Sequence, residues 1–394
     1  MPEFVYEIRA LTVDDLPDSW ELTRIAFGSS KEAPPGWLTE RPGRVTWGVF
    51  DERGRLVAKA MDRDQRHWFG GRLVPATGLA GVVTAPELRG TGLGRMALTR
   101  TLHAAHERGA VIATLFRSGP GPYRSLGCEE VGALTWVAVP AAALAAVERP
   151  SDVTLRAAEA ADAATIDEIY RTVARASAGM LERSGSIFEG LQTLERVDGV
   201  TLAVGPSGVE GYASWDREPN YDASGRLSVF DLIGLTGDAT RALLANLGTW
   251  RDVAPTIRLR LPDSDPIPLL APLVHTTLES RDPWMLRMLD APGAVAARGW
   301  PPHLSGAIDL ALDDDVCPWN SGAWRLVLEA GEGRLESGGS GAVRMTMRGL
   351  AVWYAGAADP AVLRRAGLLA GEESGDAFLA AASAGPRPAL QDYF

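Results

Sequence analysis

The sequence predicts a mixed α/β fold, of the α+β kind, built from three successive units. Three observations carry that expectation. A Gly-rich loop at 89–95 joins an apolar extended run to a helical pattern and then to a second apolar run; a strand and acid-rich helix start near residue 8 is echoed near residue 153; and two alternating runs lie beyond residue 320. At 394 residues the chain exceeds one ordinary core, and a prior of about 150 residues per domain gives two or three.

The first unit, residues 1–148, opens with Ile8-Arg9-Ala10-Leu11 as a strand and Thr12 as the cap of a following helix. Leu73 to Thr84 then reads as extended, and Ala85-Pro86-Glu87-Leu88 leads into Arg89-Gly90-Thr91-Gly92-Leu93-Gly94-Arg95. Leu93, Met96, Ala97, Thr101, Ala104 and Ala105 recur at helical spacing up to Gly109, a natural C-cap, and Val111 to Phe116 supplies the next strand. The helix therefore starts at the glycines. Its leading N–H groups lack intrahelical partners, and Gly90, Gly92 and Gly94 let a phosphate reach the backbone with no Cβ in the way, which makes a pyrophosphate cradle. The segment lacks the Lys-Ser/Thr ending of a P-loop and the spacing of a dinucleotide fingerprint.

This loop resembles the R/Q-x-x-G-x-G/A motif of the GNAT N-acetyltransferases, which binds the pyrophosphate of coenzyme A. Just past the second strand, Ser118-Gly119-Pro120-Gly121-Pro122-Tyr123-Arg124-Ser125-Leu126-Gly127 places a Tyr among turn residues. Together with the overall length, Asp265-Pro266-Ile267-Pro268-Leu269-Leu270 and the run Arg281 to Trp300, these segments resemble the Eis (enhanced intracellular survival) acetyltransferases across nearly the whole chain. The resemblance implies acetyl-CoA as co-substrate, with Val82, Val83, Thr84, Arg89, Gly90, Thr91, Gly92, Leu93, Gly94, Arg95 and Ser118 at the coenzyme and a homo-oligomer, in that family a hexamer.

Glu148-Arg149-Pro150-Ser151-Asp152 reads as a linker, and the second unit, 149–290, opens with Val153-Thr154-Leu155-Arg156 before an acid-rich helix start. No counterpart of the glycine cradle follows, so the expectation is a second GNAT-like domain without the coenzyme loop; an unrelated α+β domain is the alternative. The third unit, 291–394, shows alternating Trp324 to Ala330 and Ala342 to Met347, read as strands joined by a turn-rich Gly331-to-Gly341 segment. By resemblance it is a sterol-carrier-like domain whose C-terminus enters the active site of the first.

Composition bounds the chemistry. The net charge of −11 argues against nucleic acid and favours a cationic partner. No apolar run is long enough to span a bilayer as a helix, and the expectation is a cytoplasmic protein. Cys128 and Cys317 stand apart without ligand-spaced neighbours, so neither a disulfide framework nor a metal is expected, and Cys128 reads as a small apolar residue. His103 and His106 read as part of a solvated helix face.

An amine attacks a thioester only as the free base, a small fraction at neutral pH for a pKa near 10.4. A positioned acceptor is needed. The resemblance assigns that role to the α-carboxylate of Phe394 and the role of proton donor to the leaving thiolate to Tyr123, while a backbone N–H near Val82 to Thr84 meets the oxyanion. Phe27, Trp37 and Asp392 are the expected acceptor-binding residues. The aminoglycoside-modifying members carry acids after the aromatic matching Phe27 and beside the last residue, where this chain has Gly28-Ser29-Ser30 and Tyr393, with Glu32 and Asp392 nearby as substitutes. The reading is an N-acetyltransferase acting on a small primary amine, aminoglycoside-like, polyamine or lysine-type. A non-catalytic acyl-CoA or lipid carrier, or an enzyme of one biosynthetic pathway, remains open.

Overall fold

The computed structural model describes residues 5–184, 194, 196–220, 222–271 and 273–394. The first segment forms β1 (Glu7–Ala10), α1 (Leu16–Phe27), β2 (Arg44–Phe50), β3 (Leu56–Phe69), β4 (Arg72–Thr84), α2 (Leu93–Glu107), β5 (Ile112–Phe116), α3 (Pro120–Arg124), β6 (Glu129–Pro140) and α4 (Ala141–Leu144). The second forms β7 (Thr154–Ala157), α5 (Ala163–Arg175), β8 (Ala178–Leu181), β9 (Gly199–Gly205), β10 (Gly208–Arg217), β11 (Arg226–Gly234), α6 (Gly237–Gly248), β12 (Thr256–Arg260), α7 (Ile267–Leu270) and β13 (Thr277–Met288). The third forms α8 (Ala291–Ala297), β14 (Gly306–Leu312), β15 (Gly322–Glu329), β16 (Glu332–Ser337), β17 (Val343–Met345), α9 (Met347–Ala355), α10 (Pro360–Arg365), β18 (Leu369–Gly371) and α11 (Asp376–Ser383).

Both early segments begin the same way. Arg9 donates to Asp15 at 2.6 and 2.8 Å, and Asp15 accepts from the Thr12 N–H at 2.8 Å, closing a turn ahead of α1. Arg156, Asp162 and the Glu159 N–H repeat this at 2.7, 2.7 and 2.8 Å ahead of α5. In each case the arginine holds the carboxyl well below its ordinary range. A strand–turn–helix start with one arginine and one aspartate six apart is thus built twice.

Among the described residues the two segments share one sheet, ordered β1-β2-β3-β4-β5-β13-β6-β12-β11-β10-β9-β7, with β8 paired to β3. Strand β13, from the second segment, lies antiparallel between β5 and β6 of the first, and β6 continues into pairing with β12. On β3 the pleat separates two chemistries. Lys59 reaches Ser19 and Thr23 of α1, whereas Asp62 and Asp64 receive Arg108 beyond the end of α2. Helices α1 and α2 therefore cover opposite faces.

The third segment makes a second sheet, β16-β15-β14-β17-β18. Here the turn-rich reading of 331–341 is corrected, because Glu332–Ser337 is a strand paired with β15 around a tight turn at Ala330 (φ +50°) and Gly331 (φ +84°). Gly333 hides that strand in the sequence: a Cβ there would stand 2.2 Å from Trp300 Nε1, so the indole excludes a strand-forming side chain. The two layers share one core, in which Phe69 meets Tyr354 at 5.3 Å and Trp300 stacks on Trp353 at 5.4 Å. The solvated reading of His103 and His106 is corrected too. His103 Nε2 donates to Val316 O at 2.6 Å and His106 stacks on Trp319 at 4.2 Å, so this face of α2 is covered by the third segment.

Candidate active site

A break in β4 opens the site. Its register with β3 slips between the pairs Lys59–Val83 and Met61–Ala80, and Gly81 in the bulge takes φ +55°. Strands β4 and β5 pair only through Ala76–Gly78 and Ile112–Thr114 and then part. A cavity of ≈ 400 Å³ follows, lined by Val82, Val83, Thr84, Arg89, Gly90, Gly92, Gly94, Arg95, Ser118 and Tyr123 among others. Gly90 and Gly92 hold φ of +81° and +92°, and nothing stands within 4 Å of where their Cβ atoms would be. Their conformation needs glycine, and the space above them is open. Gly94 serves packing, since its Cβ would meet Thr84 Oγ1 at 2.9 Å. Arg95 Nη1 donates to Ser125 O and Oγ, both at 3.0 Å, tying the start of α2 to the turn that carries Tyr123.

Tyr123 is buried, and burial pushes its hydroxyl above the ordinary phenol range, with a hydrogen bond to Ser118 opposing. It remains a protonated donor at neutral pH. The C-terminal tail arrives from the third segment at the same place. Ala389 N donates to Ala178 O at 2.8 Å, Arg260 Nη1 donates to Gln391 O at 2.7 Å, and Gln391 Nε2 donates to Phe230 O at 2.9 Å. Tyr393 then stacks on Phe116 at 4.5 Å, and the Phe394 ring lies 5.3 Å from Phe116 and 6.1 Å from His67. Phe116 ends the strand that leads into Ser118. The Tyr123 turn and the chain terminus therefore converge on one strand end.

Beneath Phe394, His67 Nδ1 donates to Gly179 O at 2.6 Å, and its Nε2 lies 3.1 Å from Thr114 Oγ1. Burial pushes its pKa down to about 4 despite that carbonyl, so it is neutral at pH 7.

Known families match this chain in three stretches: an acetyltransferase (GNAT) domain at 7–131, a second at 179–288 and a sterol carrier protein domain at 291–391. A GCN5-related N-acetyltransferase from Kribbella flavida is 30% identical, with 99% of each chain covered and a TM-score of 0.83. The chain belongs to the GCN5-related N-acetyltransferases. An uncharacterized N-acetyltransferase of Streptomyces coelicolor is 29% identical over 73% of this chain and 73% of its own length. Eis1 of Mycobacterium abscessus shares the fold, at 23% identity and a TM-score of 0.78 over 99% of this chain and all of its own.

GCN5-related N-acetyltransferases use acetyl-CoA as co-substrate, and the cradle fits its pyrophosphate. Two glycines in the left-handed region turn backbone toward an open cavity at the start of a helix, and Arg89 and Arg95 line it. Within this N-acetyltransferase several sequence expectations are corrected. Leu93 is 2% exposed, so its side chain belongs to the core under α2. Thr91 turns its hydroxyl to Leu88 O at 2.6 Å. Phe27 is 56% exposed at the end of α1, ahead of Gly28 at φ +73°, and is not among the residues lining the coenzyme cavity or the Trp37 cleft. Asp392 is 1% exposed and bound to Arg183, its charge committed to the interior. Trp37 does line a separate cleft of ≈ 690 Å³, edge-on to Trp20 at 4.8 Å. Cys128 is buried, which pushes its thiol up to about 12 and leaves it no nucleophile.

Sequence reasoning missed Arg183, Arg260 and His67, which hold the tail, and Lys59 and Arg63 on β3. A signal was present for the last pair: Lys59, Met61, Arg63, Gln65 and His67 alternate along a strand flanked by apolar runs, a polar face that points inward.

Proposed function

We propose that this enzyme is an Eis-type acetyltransferase that moves the acetyl group of acetyl-CoA to a primary amine of a small molecule. The supporting observation is that the docked terminus packs on Phe116, at the end of the strand that leads into Ser118 and Tyr123 of the glycine-lined cavity. In this reading residues 1–148 bind coenzyme and carry the chemistry, 149–290 lacks the coenzyme loop, and 291–394 supplies the terminus. A cytoplasmic homo-oligomer goes with it by likeness to that family.

The steps follow from the residues. The α-carboxylate of Phe394 takes a proton from the ammonium form, and the freed nitrogen attacks the thioester carbon. A backbone N–H of the bulge near Val82 to Thr84 receives the oxyanion, and the tetrahedral species collapses with loss of the thiolate, which takes its proton from Tyr123, while the nitrogen gives up its second proton to water and water reprotonates the tyrosine. A carboxylate of ordinary pKa near 3.5 is a weak base, and position offsets that weakness.

The deciding experiment compares native-ended, C-terminally tagged and Phe394-deleted proteins for amine-dependent thiol release from acetyl-CoA. Deletion retracts the carboxylate by about 3.5 Å and a tag removes its charge; both are expected to cut kcat while acetyl-CoA binding holds. Full activity with a blocked terminus overturns the assignment of the base. No amine-dependent thiol release across neutral, anionic and polycationic amines overturns the acetyl-transfer reading.

A further inference from the structure

The two early segments repeat one strand order. In the first, β1-β2-β3-β4-β5 runs antiparallel up to β4 and parallel from β4 to β5, with α2 between those two strands. In the second, β7-β9-β10-β11-β12 does the same, with α6 between β11 and β12. The bulge is repeated as well. On β11, Asp231 pairs with Ser214 and Val229 with Trp215, so Phe230 is left without a partner on β10, in the strand that matches β4. The fourth and fifth strands then part, after Gly78 and Thr114 in the first segment and after Val229 and Leu259 in the second.

What lies at the parting differs. In the first segment it is the glycine-lined cavity, and residues 85–92 join β4 to α2. In the second, Leu235 and Thr236 alone join β11 to α6; Thr236 Oγ1 accepts from Ala239 N at 3.1 Å and donates to Glu210 Oε2 at 3.1 Å. That helix start is capped from within and faced by a carboxylate, which disfavours a diphosphate. Phe230 and Arg260 are the first residues past the last β11–β12 pair, and both hold Gln391. The Gln391 side-chain amide donates to Phe230 O at 2.9 Å, and Arg260 Nη1 donates to Gln391 O at 2.7 Å. The bulge leaves the Phe230 carbonyl without a strand partner, and the tail supplies its donor. Arg183 links the next tail residue, Asp392, to the next strand residue, Asp231. Consecutive residues of the tail thus meet consecutive residues of β11.

We propose that the parted strands of the second segment are a seat for the chain's own tail rather than for a coenzyme, and that Gln391 is a positioning residue which, by bridging β11 and β12, sets the reach of the Phe394 carboxylate. The inference rests on the reading of that carboxylate as the base, and adds what places it. Gln391 is 3% exposed, and Phe394 follows three residues later. A slip of the tail by one residue breaks the Phe230 and Asp231 links together and moves the terminus by about 3.5 Å. A weak base depends on its placement, and a misplacement of about 1 Å costs on the order of a hundredfold in rate.

The test uses the full chain carrying Gln391→Met, which keeps the length of the side chain and removes its donor. We expect kcat to fall roughly tenfold or more while the acetyl-CoA Kd stays within about twofold. The amides of residues 389–394 should exchange with deuterium roughly tenfold faster or more, and those of the third segment's sheet should not change. Native exchange in the tail overturns the seat, whether or not kcat falls. Faster exchange with native kcat overturns the positioning role, and the C-terminally tagged protein then says which reading failed: if it is equally active, the assignment of the base has failed, and if it is inactive, only the role of Gln391 has. If Gln391→Met does not fold, the native protein decides. Calorimetry should saturate at one acetyl-CoA per chain, and the 389–394 amides should exchange roughly a hundredfold slower or more than those of the free peptide of that sequence. Two coenzymes per chain, or unprotected tail amides, overturn the inference.

Discussion

Arg183 holds Asp392 through Nε at 3.2 Å and Nη2 at 2.9 Å while the same guanidinium holds Asp231 at 2.6 and 2.9 Å. Tyr170 lies under the guanidinium at 3.7 Å and donates to Asp392 at 3.1 Å. The last buried residue of the tail is therefore latched to the second segment, two residues before the terminus that the proposed chemistry needs.

Loosening that latch is expected to act on turnover. Removing one partner of a buried ion pair costs roughly 3–5 kcal/mol, and Asp392→Asn keeps the shape while removing the charge. We expect kcat to fall at least tenfold with acetyl-CoA affinity unchanged, because the cradle belongs to the first segment. Steady-state kinetics with coenzyme calorimetry checks this; a loss confined to thermal stability, with kcat intact in the folded protein, refutes a positioning role.

Gly92 sits at φ +92° above open space. Valine at that position strains the backbone by on the order of 1–2 kcal/mol and projects methyl groups toward the pyrophosphate. Gly92→Val should raise the acetyl-CoA Kd by tenfold or more, measured by calorimetry on a variant whose circular dichroism is native. Unchanged Kd excludes the cradle.

Tyr123→Phe retains the packed ring and removes the hydroxyl that bonds Ser118. A general acid contributes roughly a hundredfold to ten-thousandfold, so kcat should fall by about that much with little change in KM. Wild-type kcat where chemistry limits the rate excludes Tyr123 as the donor.

Lys59 gives a pH signature of the fold itself. Burial pushes its amine down to about 7 from an ordinary 10.5. Between those values the unfolded chain binds more protons than the folded one, so stability rises with pH across the window, and below it the full cost of burying the charge is present. Relative to Lys59→Met, the native protein should gain on the order of 2 kcal/mol between pH 7 and pH 9, read from denaturant midpoints. Parallel curves for the two proteins refute the shift.

How legible this was in the sequence depended on how local the signal is. Gly90, Gly92 and Gly94 announce their loop because backbone conformation is a property of the residue, and the Thr12 and Asp15 turn is likewise written within a few positions. The tail was legible as apolar, since Leu390 is wholly buried, but not its partners: Arg183 is far from Asp392 in the chain, and only the fold joins them. Asp392 went astray for the same reason, because residue type suggested a cleft that its ion pair with Arg183 denies. Strand Glu332–Ser337 stayed hidden because its Gly333 answers to the indole of Trp300, 33 residues upstream, rather than to a turn.

The place of β13 between β5 and β6 sets an order on assembly. As the polypeptide emerges from the ribosome, β5 and β6 are delivered long before the strand that separates them, and the first coenzyme-binding layer must wait, with open hydrogen-bonding edges, while the whole second segment is translated. A nascent chain stalled after Pro140 therefore exposes the very edges that invite association with its neighbours on a polysome. The half of the protein that holds the coenzyme loop thus completes its own sheet only when residue 288 has been made and the second segment lends it a strand.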